Sequence, residues 1–247
     1  MKQLKIKDRL YARPIKQISD FVFDDNVAGV FDDMIHRSVP GYAAIIAMIG
    51  VLAQAYAKDS SNCYDLGCSL GTASLSMRAN ISRRGCKIIA VDNSQAMVTK
   101  CRQRVRNASG RSAVPVEVIC DDIENVPISQ ASVVVLNFTL QFVKREKRGK
   151  LLRQIYQGLV SGGVIILSEK IVFKNRKEQK LQDELYHAFK KLNGYSDLEI
   201  AQKRTALEKV LIADTLDQHF KRLRKAGFKD IYVWFQCFNF VSMVAVK

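Results

Sequence analysis

Proline is scarce. Four residues, at positions 14, 40, 115 and 127, and no serine- or glycine-rich stretch leave nothing that reads as a linker. One large domain, or a domain with a cap, is what 247 residues without a linker imply. Histidine is scarcer still: His36, His187 and His219 stand far apart with no H-x-x-x-H spacing, and the six cysteines (63, 68, 86, 101, 120 and 237) contain no C-x-x-C, so no metal site is expected. The same cysteine pattern, with a polar start at Met1-Lys-Gln-Leu-Lys-Ile-Lys7 where a secretory signal would be apolar, predicts reduced thiols and a cytoplasmic protein.

Acidic residues are in deficit. Asp and Glu number 24 against 39 Lys and Arg, a formal charge of +15 and a pI near 9.6. The excess is uneven, at +1 over residues 1–60, +3 over 61–140 and +11 over 141–247. Such a balance speaks of partners rather than fold, and fits RNA, an anionic substrate or solubility alone. With 48% hydrophobic and 26% charged residues, disorder, collagen and coiled coil are excluded. One run, Ser38 to Ala57, has no charge and is long enough to span a bilayer. Its Pro40, Gly41, Gly50, Gln54 and many alanines read instead as a turn and a buried helix, so no membrane is expected.

What is present is a rhythm. After a polar arm (1–41), an α/β domain (42–247) opens with the uncharged helix and a strand, Asn62 to Leu66, ending at Gly67. A helix from Thr72 to about Ile81, a strand Cys86 to Val91, and a helix capped by Ser94 with Met97, Cys101 and Val105 on one face give β-α-β-α. Val114 to Cys120, Ser132 to Leu136 and, after a Gly-Gly turn, Gly163 to Ser168 read as further strands, with a helix from Lys147 to Leu159. Near-continuous β-branched runs are the pattern of strands buried on both faces. Residues 171–215 break the rhythm as a charged helical insertion or lid with Leu181, Leu185 and Phe189 on one face. A helix closed by Gly227 and two aromatic strands, from Asp230 and from Phe238, complete the chain. The predicted fold is α/β, a doubly wound, mostly parallel seven-stranded sheet of Rossmann-like type with a C-terminal antiparallel pair.

Chemistry gathers at the strand ends. Asp65-Leu-Gly-Cys-Ser-Leu-Gly71 follows the first strand, Asp92 and Asn93 end the second, Asp121-Asp122-Ile123 the third, and Asn137 the fourth. A glycine loop brings backbone N–H groups to a ligand, an acid 21 residues after Gly71 suits both hydroxyls of a ribose, and Asp122 with the Ile123 N–H suits an adenine edge. Each acid alone reads as a helix cap. Together, and with D-x-G-x-x-x-G in place of G-x-G-x-x-G, they favour a nucleoside-bearing ligand without a pyrophosphate, and S-adenosylmethionine is the candidate. Over about residues 60–170 these positions resemble class I S-adenosylmethionine-dependent methyltransferases.

Longer stretches carry a narrower resemblance: Arg37-Ser-Val-Pro-Gly-Tyr42, Asp65 to Gly71, Val135-Leu-Asn-Phe-Thr-Leu-Gln-Phe142, Asn193-Gly-Tyr-Ser196, Gln202-Lys-Arg204 and Trp234-Phe-Gln-Cys-Phe-Asn-Phe240. From about residue 20 onward the chain is similar to the carboxy-S-adenosyl-L-methionine synthase family. That resemblance implies a transferase that moves a carboxyl group from prephenate to the sulfonium methyl of S-adenosylmethionine, releases phenylpyruvate, and leaves the product for a partner enzyme that modifies the wobble uridine of tRNA. It also implies a homodimer that does not itself bind nucleic acid. By position, Tyr42, Gly67-Cys68-Ser69, Asp92-Asn93, Asp122-Ile123 and Asn137 match the family's cofactor contacts, and Arg204 matches the arginine that holds the new carboxylate. Asp121 departs from the family, standing where a small residue is expected and adding negative charge near the adenine position. Cys68 has no histidine near it in sequence and reads as structural. The aromatic stripe from Trp234 to Phe240 reads as core or subunit interface. An RNA methyltransferase, or a non-catalytic S-adenosylmethionine-binding subunit, remains open; the absence of an Asn-Pro-Pro-Tyr-type loop at 138–142 weighs against base methylation.

Overall fold

The computed structural model describes residues 6–108 and 114–247, so the first five residues of the expected arm lie outside it. Among these residues seven strands form one sheet in the order β3-β2-β1-β4-β5-β7-β6. They are β1 (Asn62–Leu66), β2 (Lys87–Asp92), β3 (Val116–Cys120), β4 (Ala131–Asn137), β5 (Leu159–Lys170), β6 (Asp230–Cys237) and β7 (Phe240–Val246). Pairings through β5 are parallel, and β7 runs antiparallel to both β5 and β6. The doubly wound sheet with its antiparallel finish is the fold the strand pattern predicts.

Alternation along β4 shows why its run of valines is unbroken. Val133 and Val135 face a layer with Ile45 and Ile49 of α2 (Tyr42–Tyr56) and Met77 of α3 (Thr72–Asn80). Val134 and Leu136 face Leu151, Leu152 and Ile155 of α5 (Arg145–Gly158) and Leu223 of α8 (Leu216–Ala226). Both faces are buried, and the polar Ser132 of the same strand is accommodated by a hydrogen bond with the Ser61 hydroxyl at 2.7 Å. The strand polarity then puts the C-terminal ends of β1, β2, β3 and β4 at one rim, where α4 (Gln95–Asn107) begins at its Ser94 cap.

Two expectations are corrected. The arm is not merely polar: α1 (Asp25–Ser38) starts at Asp24, whose side chain accepts from the Val27 N–H at 2.9 Å. Its apolar residues, Val27 and Met34, pack with Phe21, Leu70 and Met97. Interleaved Asp24, Asp25, Asp32 and Asp33 hide that face in the sequence. The second correction concerns β5, which begins at Leu159 rather than after the Gly-Gly pair. Gly162, at φ +69°, is absorbed where the β4–β5 register shifts, and its N–H donates to the Lys247 carbonyl.

The insertion carries α6 (Arg176–Leu192) and α7 (Asp197–Leu207). Its two feet meet at an Ile171–Asp214 bridge. Asp214, 1% exposed, is paired with Arg148, Arg222 and Arg145 at 2.5, 2.8 and 3.1 Å. Burial pushes its carboxyl up, but Arg222 and Arg148 outweigh that and hold it below the usual carboxylate range. The N-terminal segment is stitched to this insertion: the Gln202 side chain bonds the carbonyls of Tyr11 and Arg13 and the N–H of Ile15, and the Phe21 N–H donates to the Ala206 carbonyl. No single described helix is long and apolar enough to cross a membrane; α1 and α2 satisfy length and composition only as a pair bent by 97°.

Candidate functional site

The loop after β1 is shaped by two glycines. Gly67 lies at φ +80°, and a Cβ there would stand 2.4 Å from the Thr139 side chain. Gly71 lies at φ +76°, with Cys101 Sγ 2.6 Å from where a Cβ would be. Both positions demand glycine on conformation and space together. Asp65, 1% exposed, anchors the loop to α3 by accepting from the Ser74 N–H and hydroxyl at 2.9 and 2.5 Å. Burial raises its carboxyl to about 6. It is thus a structural member of the motif.

Asp92 ties the loop to the next strand end. Its Oδ2 accepts from the Ser69 N–H at 2.8 Å and its Oδ1 from the Ser94 N–H at 2.9 Å. Burial raises its pKa against those two N–H bonds. Each oxygen keeps a free lone pair, which leaves the carboxylate able to accept from a pair of hydroxyls. Beside it, Asn93 Nδ2 donates to Asp122 Oδ1 at 2.6 Å, joining the ends of β2 and β3. Asn137 at the end of β4 has a buried Oδ1 with no hydrogen-bond partner among the described residues. An orphaned acceptor in a cavity wall marks the place of a missing donor.

These groups share one cavity of about 810 Å³ whose lining includes Tyr42, Gly67, Cys68, Ser69, Asp92, Asn93, Asp122, Ile123 and Asn137, and also Arg204. All the cofactor positions read from the sequence are therefore brought together. Tyr42 is buried at the start of α2, and burial pushes its phenol up to about 12. The Cys68 thiol is also pushed up, first by its hydrogen bond with Cys101 and then by burial, so it is a poor nucleophile. Arg204 reaches the cavity from α7, is exposed, and forms no ion pair with any described residue. Asp121 does not line the cavity: it is exposed, and its Oδ1 accepts from the Asp122 N–H and Asn125 Nδ2, holding the turn. The expected added charge at the adenine position is corrected accordingly.

The cavity also has walls that spacing did not single out. Phe21, Phe23 and Phe31 come from the N-terminal segment, and Lys170, Tyr186, Lys190 and Asn239 from β5, α6 and the β6–β7 turn. Phe23 packs edge-on against Phe142 at 5.2 Å, closing the segment over the strand ends.

Residues 64–163 match a methyltransferase-domain family model. The chain is 55% identical over 240 residues to the carboxy-S-adenosyl-L-methionine synthase of Shewanella halifaxensis, covering 97% of this chain and 98% of that protein. It is likewise 55% identical over 243 residues to the enzyme of the same name from Trichlorobacter lovleyi, covering 98% and 99%. The chain belongs to the carboxy-S-adenosyl-L-methionine synthase family. The fold of this family member also matches a putative S-adenosyl-L-methionine-dependent methyltransferase from Methanococcus maripaludis (TM-score 0.59, 18% identity, 95% of this chain and 97% of that one). A second match is human N-acetylserotonin methyltransferase in complex with S-adenosylmethionine (TM-score 0.60, 18% identity, 90% and 55%). The glycine cradle, the carboxylate of Asp92 with its free lone pairs and the orphaned Asn137 acceptor fit S-adenosylmethionine in this family member.

Proposed function

We propose that the protein carboxylates the sulfonium methyl of S-adenosylmethionine, with prephenate as donor, releasing phenylpyruvate as a cytoplasmic homodimer. The observation that carries this reading is Arg204, which lines the cavity that holds the nucleoside-binding acids and forms no ion pair with any described residue. A product bearing a new carboxylate calls for a fixed cation beside the sulfonium, and a guanidinium with no protein ion-pair partner can meet it with two hydrogen bonds. The sulfonium supplies an acidified methyl carbon. The donor loses carbon dioxide and hydroxide as its ring becomes aromatic; the carbon dioxide joins that methyl carbon, and the methyl proton leaves with the hydroxide as water.

This chain's residues orient the reactants. Asp92 and the Asn93–Asp122 pair fix the nucleoside, Asn137 and the Gly67-Cys68-Ser69 backbone fix the amino-acid end, and Arg204 pairs with the carboxylate as it forms. The product then serves a downstream enzyme that installs the 5-oxyacetyl group on tRNA wobble uridine, so no nucleic acid binds here. Homodimerisation is supported by the exposed face of α2, where Ala43, Ala44, Ala47, Met48 and Val51 carry no charge.

Mass spectrometry of a reaction containing purified protein, S-adenosylmethionine and prephenate tests the reading. It should show carboxylated S-adenosylmethionine and phenylpyruvate in equal amounts; unmodified S-adenosylmethionine alone sinks it. Arg204→Ala should lower carboxylated product at least a hundredfold while S-adenosylmethionine affinity stays within about threefold, because the guanidinium meets only the carboxylate.

A further inference from the structure

The nucleoside half of the cavity leaves a second half unassigned. Lys170 at the end of β5, Tyr186 and Lys190 on α6, Arg204 on α7 and Asn239 between β6 and β7 line it. Asn239 is 1% exposed, and neither its Oδ1 nor its Nδ2 has a hydrogen-bond partner among the described residues. An amide buried with both ends open is costly until a bound polar group satisfies it. Lys170 and Lys190 set their ammonium groups 4.9 and 4.3 Å from the centroid of the same Tyr186 ring. Neither ammonium makes an ion pair with a described residue.

The electrostatic neighbours of Lys190 are Lys170 on β5, Asp183 on its own helix, and Lys203 and Arg204 on α7. Lys203 is already engaged, bonding the Ser38 hydroxyl at 3.2 Å and lying 3.8 Å from Asp8. Glu199 and Glu208 also line the cavity, Glu199 capped by Ser196, but around Lys190 itself Lys170, Lys190 and Arg204 meet the one carboxylate of Asp183, leaving two positive charges in excess there. Like charges gathered in one partly dry cavity repel one another unless an anion sits among them. Next to them stands an apolar wall: the Phe240 ring lies 5.1 Å from Tyr186 and 5.8 Å from Phe138.

We propose that this half of the cavity is the carbon-donor site, in which Lys170 and Lys190 hold the carboxylates of a dianionic, ring-bearing acid and Asn239 holds its remaining polar group. The assignment rests on the carboxylation reading for the identity of the donor, but its geometry stands on the cations, the orphaned amide and the aromatic wall. Burial first, and then Lys170, Lys203 and Arg204, push the Lys190 ammonium down to about 8, so an arriving anion stabilises its charged form. Arg204, an electrostatic neighbour of Lys190 in the same cavity, would serve the carboxyl group at the point of transfer.

Two measurements decide the assignment. Phenylsuccinate, a stable aryl dicarboxylate, is titrated calorimetrically into the S-adenosylmethionine-loaded protein, and the KM for prephenate is measured alongside. Lys190→Ala and Asn239→Ala should each weaken phenylsuccinate binding and raise the prephenate KM at least tenfold, with S-adenosylmethionine affinity within twofold, and Lys190→Arg should restore most of the loss. Unchanged donor constants, or equal losses for S-adenosylmethionine, would overturn the assignment. If Asn239→Ala fails to fold, Lys190→Ala, on a partly exposed helix face, decides alone. Wild-type protein that binds phenylsuccinate through Lys190 yet makes no carboxylated product removes the reaction and upholds the subsite. Product formation with unaltered variants does the reverse.

Discussion

A lysine ammonium in water keeps its proton to beyond pH 10, and Lys190 does not have water around it. Burial, and behind it the positive groups of Lys170, Lys203 and Arg204, bring its pKa to about 8 against the opposing pull of Asp183. For a base that binds an anion only when protonated, the sign is fixed. Donor binding is at full strength below pH 7 and weakens as pH rises through 8, because protein without donor has by then released the proton. The prephenate KM should therefore climb about tenfold per pH unit above 8 while the S-adenosylmethionine KM stays level. In Lys190→Arg, whose guanidinium holds its charge throughout, the climb should shift to higher pH. A climb identical in both proteins would remove Lys190 from the donor site. The residues behind this prediction were illegible in the sequence for a physical reason. Lys170 and Lys190 belong to a run rich in basic residues, and only the approach of both ammonium groups to the one Tyr186 ring singles them out. Asn239 sits between two phenylalanines in a hairpin, where an asparagine reads as turn chemistry.

At the scale of elements, the insertion is only as firm as its base. Ile171 and Asp214 bring its ends together, and three arginines converge on the Asp214 carboxylate from α5 and α8. Arg148 is fully buried. Removing the acid leaves that guanidinium uncompensated in the core, a situation that costs about 3–5 kcal/mol. Asp214→Ala should lower the Tm by roughly 6–20 °C at two to four degrees per kcal/mol for a chain of this size. Calorimetry with and without S-adenosylmethionine checks it: a fall under about 2 °C would show that the cluster does not hold the insertion. The strands of the cofactor rim were plain in the sequence, because apolar runs followed by Asp92, Asp122 or Asn137 announce both buried strand and functional rim. α1 was not. Its apolar face finds partners in Leu70 and Met97 and in α7, contacts across up to 180 residues that no local periodicity encodes. Three aspartates in its turns, with Asp24 at the cap, dilute what pattern there is.

The whole molecule carries +15, yet the face most suited to a partner has no charge. Along α2 the outward residues Ala43, Ala44, Ala47, Met48, Val51, Gln54 and Ala55 are exposed and uncharged, and Tyr232 and Val233 are exposed on the edge strand β6. Phe235 joins the two surfaces by packing against Gly41 at the head of α2. In the proposed homodimer a second copy would cover this face, since a neutral face of small residues escapes the repulsion that two chains of +15 would otherwise meet. A two-fold interface burying about 800 Å² per chain is enough for a stable dimer. Met48→Glu with Val51→Glu would then place four carboxylates in the apolar centre of that interface. Sedimentation velocity should show wild-type protein as a dimer and the double variant as a monomer. S-adenosylmethionine affinity should hold within about threefold, since neither side chain lines the cavity. A double variant that still sediments as a dimer would place the contact elsewhere, with the exposed Leu181 and Leu185 of α6 as the next face to alter.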